Sequence, residues 1–128
     1  MGIRIEGNLF YIQSKEMSMI IENKEGDLLL RHIGGKIAKY HGSNAILEKD
    51  HAFSGNPTPG DRTFSYDTQR QVFGVHGFGD FRQPSLKIAH ANNELTQFKL
   101  TSSEILHGAK EATSLPNPHS TEKAETFV

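Results

Sequence analysis

The chain has 128 residues, 14 Lys and Arg against 15 Asp and Glu, and a formal net charge of −1. That is the length of one domain, too short for a (β/α)₈ barrel of about 250 residues, and its charge does not suit a phosphate-backbone binder, which is usually strongly basic. The absence of Cys excludes a disulfide framework, a thiolate nucleophile and a Cys-based zinc site. No apolar run approaches the roughly 18 residues of a membrane helix, and residues 1–10 lack the apolar stretch of a signal peptide. The expected compartment is the cytoplasm, with neither nucleic acid nor membrane as partner.

The first third alternates as β structure. Ile3 and Ile5 flank Arg4, and Leu9 to Ile12 and Met17 to Ile21 are short runs of β formers. Asn23-Lys24-Glu25-Gly26-Asp27 carries turn chemistry, with Gly26 able to take positive φ. Leu28 to Ile33 then reads as the partner strand, which Gly34-Gly35 should break. Two or three antiparallel strands are expected, with Met17, Met19 and Ile21 on one face.

Residues 41–84 differ in texture. They hold six of the protein's eleven aromatic residues, Phe53 to Phe81, and four of its five Asp, Asp50 to Asp80, amid Gly, Pro and Asn. Flexible linkers are polar and poor in aromatics, so this is expected to be a long ordered loop, a kind of segment that often binds or catalyses. In the last third, Leu86, Ile88 and His90 and then Leu95 to Leu100 read as two strands about an Asn92-Asn93 turn. Glu104 to Gly108 reads as a further short strand, residues 113–119 as a loop, and Thr126-Phe127-Val128 as the opening of a strand. The expected fold is all-β, an antiparallel sandwich.

The seven histidines, His32, His41, His51, His76, His90, His107 and His119, show neither the i, i+2 spacing of a strand metal site nor the i, i+4 spacing of a helical one. No cofactor is expected. Gly77-Phe78-Gly79-Asp80 lacks the third Gly and the βαβ setting of a dinucleotide fingerprint, and no Ser sits in a G-x-S-x-G elbow. Asp50, Asp61, Asp67 and Asp80 could supply a carboxylate pair of the kind glycoside hydrolysis needs.

The run Asp50-His51-Ala52-Phe53-Ser54-Gly55-Asn56-Pro57-Thr58-Pro59-Gly60-Asp61-Arg62-Thr63-Phe64-Ser65-Tyr66-Asp67-Thr68 resembles a segment in the amino-terminal part of α-galactosidases of glycoside hydrolase family 36. Gly79-Asp80-Phe81-Arg82-Gln83-Pro84 resembles a second one. The resemblance covers essentially all 128 residues in order and spacing. One departure is Gly34 before Gly35-Lys36, where members often carry Trp.

The resemblance implies part of an enzyme. In that family a large amino-terminal β-sandwich precedes a (β/α)₈ barrel, which carries the Asp nucleophile and the acid/base of a retaining mechanism. Residues 1–128 are then expected to be the amino-terminal part of such a sandwich, a partial supersandwich ending inside it, with loop 41–84 and without the barrel. No Asp here should be nucleophile or general acid, and the chain alone should be inactive. The parent would hydrolyse terminal α-galactosyl groups of oligosaccharides of the melibiose and raffinose type.

Tetramer-forming members use this loop to help wall the galactose pocket. By position in the motif, Asp50 and Arg62 are the residues expected to reach substrate: a carboxylate accepts sugar hydroxyls, and a guanidinium offers a rigid fork of donors. Alternatively the two pair with each other and pin the loop. Phe53, Phe64 and Phe81 are expected to pack the loop rather than stack on sugar. Two other readings compete: a stand-alone sugar- or protein-binding β-module, and a small independent hydrolase built on the Asp cluster.

Overall fold

The computed structural model describes residues 2–42, 66–76, 84–92, 94–108 and 124–128. These residues include six strands: β1 (Gly2–Glu6), β2 (Leu9–Gln13), β3 (Met17–Lys24), β4 (Asp27–Gly35), β5 (Ile105–His107) and β6 (Glu125–Phe127). A 3₁₀ turn, Tyr66–Thr68, is the sole helical element among the described residues. Strands β1 to β4 form an antiparallel meander in chain order, and β5 and β6 form a second antiparallel pair. The all-β antiparallel architecture is as expected, but the first third holds four strands rather than two or three. Gly7-Asn8 is enough to reverse the chain, so Ile3 and Ile5 belong to a strand of their own, paired with Ile12 and Phe10.

The β3–β4 turn follows from its residues. Glu25 and Gly26 take φ of 53° and 91°, the pair of left-handed conformations a tight two-residue hairpin needs. Asn23 closes it by accepting the Gly26 amide at 2.8 Å. At the far end, Gly34 and Gly35 do not break the strand: they stay in the ladder opposite Ser18 and Met17.

Register assigns the side chains to two faces. Across the meander, Ile5, Phe10, Ile21 and Leu30 form one row and Ile3, Ile12, Met19 and Ile33 the next, all on one face. Met17, Met19 and Ile21 do share that face. The opposite face carries Tyr11, Ser18, Ile20 and Leu29. The register shifts between Ile20 and Ile21, leaving Arg31 as the extra residue of a bulge in β4. Leu30 and Ile33 consequently share a face although three positions apart.

Burial is deepest on the second face, where Tyr11, Ile20 and Leu29 are each 0 % exposed. Residues 36–40 cover its β1–β2 end. The Ile37 amide donates to Ser18 Oγ at 3.2 Å, Gln13 Nε2 to the Ile37 carbonyl at 2.8 Å, and the Tyr40 amide to Tyr11 Oη at 3.1 Å. The Arg4 guanidinium lies 3.9 Å from the Tyr11 ring centroid. On the first face, Phe10 packs on Phe127 of β6 with ring centroids 4.8 Å apart. The second sheet is fixed further by Glu125, whose Oε2 accepts the Ile3 amide at 2.6 Å.

The expected hairpin over residues 86–100 does not form. Its described residues carry no ladder, and Leu86, Ile88, Leu95 and Phe98 are exposed. The backbone turns at Ala91-Asn92. The segment instead spends its bonds elsewhere: the Leu100 amide donates to the Gly26 carbonyl at 2.8 Å, and Leu86 bridges Val75. The short strands expected near Glu104 to Gly108 and Thr126 to Val128 are β5 and β6, and they pair with each other.

Candidate functional site

The described residues bring polar chemistry together at the tip of the β3–β4 hairpin. Asp27, the first residue of β4, is fixed there by the Glu25-Gly26 turn. Two other segments converge on it. The chain leaving the aromatic-rich motif runs alongside β4: the Leu30 amide donates to the Arg70 carbonyl at 2.7 Å and the Val72 amide to the Leu28 carbonyl at 2.9 Å. This delivers Tyr66, in the 3₁₀ turn at the head of that run, onto Leu29 in the core. The third segment, Gln97 to Leu100, is tied to the hairpin by the Leu100–Gly26 bond.

Tyr66 Oη donates to Asp27 Oδ2 at 2.6 Å, and Lys99 Nζ donates to the same oxygen at 2.6 Å. Gln97 Nε2 donates to Tyr66 Oη at 3.2 Å. Burial, then the bond to Asp27, raises the Tyr66 phenol above its ordinary pKa. Burial lowers the Lys99 ammonium, but the bonds to Asp27 and Tyr66 outweigh it and the net direction is up. The cluster therefore keeps a neutral phenol and an ammonium over the neutral range, both bonded to Asp27 Oδ2. Behind it lies a cavity of about 310 Å³ whose apolar wall includes Phe73, Val75 and Phe98; Phe73 and Phe98 meet edge to face at 5.6 Å.

The two residues expected to reach substrate, Asp50 and Arg62, lie outside the described residues, as do Asp61, Asp80, Phe53, Phe64 and Phe81. Asp67 falls within the Tyr66–Thr68 turn. Within the described part of that run, Tyr66 reaches the β3–β4 hairpin through its side chain. Reading the residues singly did not single it out, nor Asp27 and Lys99, because its partners stand 39 and 33 positions away in sequence. The motif itself was the available signal.

The histidines are dispersed. His32 Nε2 lies 3.0 Å from the Gly35 carbonyl, His90 Nε2 lies 2.7 Å from Thr96 Oγ1, and His107 Nδ1 lies 3.9 Å from Glu125. Among the described residues no group of three or more His, Asp or Glu could hold a metal ion, and no helix is long and apolar enough to cross a membrane.

Comparison with known proteins places these features. The profile of the Glycosyl hydrolase family 36 N-terminal domain matches residues 26–128. The α-galactosidase AgaA of Geobacillus stearothermophilus is 30 % identical over 109 residues, which are 84 % of this chain and 15 % of that protein. A probable α-galactosidase G of Aspergillus terreus is 29 % identical over 125 residues, 95 % of this chain and 16 % of that protein. The crystal structure of AgaA superposes with a TM-score of 0.80 at 28 % identity, covering 93 % of this chain and 17 % of the other. The galactosidase domain of the α-galactosidase-sucrose kinase AgaSK gives 0.81 at 26 % identity, covering 95 % and 18 %. The chain spans about 15–18 % of the length of these relatives. With the motif from Asp50 to Thr68 inside the matched region and the β fold shared along nearly the whole chain, this protein belongs to the glycoside hydrolase family 36 N-terminal domain family.

Proposed function

We propose that residues 1–128 serve as the amino-terminal, non-catalytic β-domain of an α-galactosidase that removes terminal α-galactosyl groups from oligosaccharides of the melibiose and raffinose type. The observation that carries this reading is the family match over residues 26–128. It is supported by relatives that are themselves α-galactosidases, among them AgaA variants crystallised with raffinose and with stachyose. On this reading hydrolysis belongs to a barrel outside these residues. Loop 41–84 helps shape the galactose pocket and an oligomer interface of a cytoplasmic, tetrameric parent, with Asp50 and Arg62 as its sugar-facing residues.

Two measurements test it. The purified 128-residue chain should not turn over an aryl α-galactoside; a rate proportional to its concentration that survives repurification would return the four motif and loop aspartates as a carboxylate pair. In the full-length enzyme, Asp50→Ala should cost about 1.5–3 kcal/mol of transition-state stabilisation, as for a hydrogen bond to a charged group, or roughly ten- to a hundredfold in kcat/KM. Arg62→Lys should also lower kcat/KM, because an ammonium cannot reproduce the guanidinium fork. Lower melting temperatures with normal kinetics of the folded fraction would show instead that the two residues only hold the loop.

A further inference from the structure

We infer that Tyr66, Asp27 and Lys99 are positioning residues that fix the carboxyl-terminal end of the Asp50–Thr68 motif, within loop 41–84, against the β3–β4 hairpin, and thereby set where the sugar-facing residues of that motif stand. This inference rests on the proposed pocket role of the loop.

Three observations carry it. First, the side-chain cluster adds to a backbone connection between the same segments, made by the bonds Leu30–Arg70, Val72–Leu28 and Leu100–Gly26. What Tyr66 adds is a fixed point upstream of that ladder, within the carboxyl-terminal end of the motif itself. Four peptide steps separate it from Arg62, at most about 14 Å of extended chain, so displacing Tyr66 shifts the point from which the preceding motif residues are held.

Second, the bonds are of the strong kind. Both bonds at 2.6 Å share one carboxylate oxygen, and charge-assisted bonds are shorter and stronger than neutral ones. Tyr66 is 9 % exposed and its ring rests on Leu29, so the phenol cannot swing while the core stays packed. Third, the frame is stiff. Asp27 follows a two-residue turn with both φ values positive, and the Lys99 side chain lies so close to Gly26 that a Cβ there would approach it to 3.0 Å.

The test uses the full-length enzyme, with melibiose or raffinose as substrate, well below the melting temperature. Tyr66→Phe keeps the ring on Leu29 and removes the phenol bond. It should raise KM about three- to tenfold with kcat within about twofold, the pattern of lost uniform binding. Lys99→Met, at an exposed position, should act in the same direction, and Lys99→Arg should restore the parent KM. Either Lys99 variant carries the test if Tyr66→Phe does not fold. Combined with Asp50→Ala, Tyr66→Phe should add less than its separate effect, since both act on one contact.

A Tyr66→Phe enzyme with lowered melting temperature and unchanged KM, beside an Asp50→Ala enzyme with raised KM, would overturn the clamp and leave the pocket role of the loop standing. A raised KM for Tyr66→Phe with none for Asp50→Ala would keep the clamp and reject Asp50 as the contact. Unchanged KM in both would overturn both.

Discussion

At the scale of single residues, the hairpin tip is tightly constrained. Gly26 has φ of 91°, and a Cβ there would come within 3.0 Å of both Cβ and Cδ of Lys99. Gly26→Ala therefore meets two costs: a left-handed conformation, worth about 1–2 kcal/mol for a residue with a side chain, and displacement of the ammonium that binds Asp27. Chemical denaturation of the 128-residue chain should show at least the first of these losses, whereas Glu25→Gly, relieving positive φ at the neighbouring position, should be neutral or stabilising. The same cluster sets an alkaline limit. The folded-state pKa values of Tyr66 and Lys99 are both raised. Their contributions are therefore complete below the unfolded values of 10.0 and 10.5 and are lost as pH rises through the higher folded values. Stability should fall as pH rises above about 10, and by less in Tyr66→Phe. An alkaline profile identical in the two proteins would remove Tyr66 from the account.

At the scale of elements, the meander was legible because its residues alternate and its turns announce themselves. Asn23 to Asp27 forms the turn its residues predict, and Thr126 and Phe127 lie in a strand, which begins at Glu125 and ends at Phe127. What could not be seen was anything set by tertiary partners. The bulge at Arg31 has no local signature; Arg31 stands out because its guanidinium finds Glu22 at 2.6 Å and Gln69 at 3.1 Å, the latter 38 positions away. Residues 86–100 alternate like a hairpin, yet Leu95 and Phe98 remain exposed and the backbone goes to Gly26 instead. Alternation states which side chains share a side and not which strand will pair with them. The aspartates of the motif were conspicuous as chemistry, but among the described residues the motif meets the hairpin through Tyr66, which reads locally as one more loop aromatic. The packing beneath it makes a sharp prediction. Leu29 is 0 % exposed, supports Tyr66 and lies in the middle of β4. Leu29→Ala should cost about 2–5 kcal/mol, the range for a buried Leu truncated to Ala, and should loosen Tyr66 with it. A loss below about 1 kcal/mol, inside the range of ordinary surface changes, would show that this site collapses without consequence.

At the scale of the whole molecule, the two sheets meet where Phe127 packs on Phe10 and Glu125 takes the Ile3 amide. That contact uses only part of the first face. Along the same face Ile5, Met17 and Ile33 are 41 %, 54 % and 55 % exposed, and Met19, between Met17 and Ile21 on β3, pairs with Ile33 on β4. The edges are better protected. The outer side of β4 is occupied by residues 70–72, and the Ile3 amide on β1 is taken by a side chain rather than left to another strand. An unpaired edge is the usual route to self-association, but here the apolar face is the more available surface, and contiguous exposed apolar area drives association. The 128-residue chain is therefore expected to associate as its concentration rises, through the face and not by strand addition. Sedimentation velocity over a hundredfold range of protein concentration should show a rising mean coefficient. Ile33→Lys, which puts a charge on the exposed face, should suppress that rise, while reversing the charge at the β1 edge by Arg4→Glu should leave it in place. A coefficient independent of concentration in the parent chain, or one abolished by the edge change and not by the face change, would show that the face is not the surface through which the chain associates.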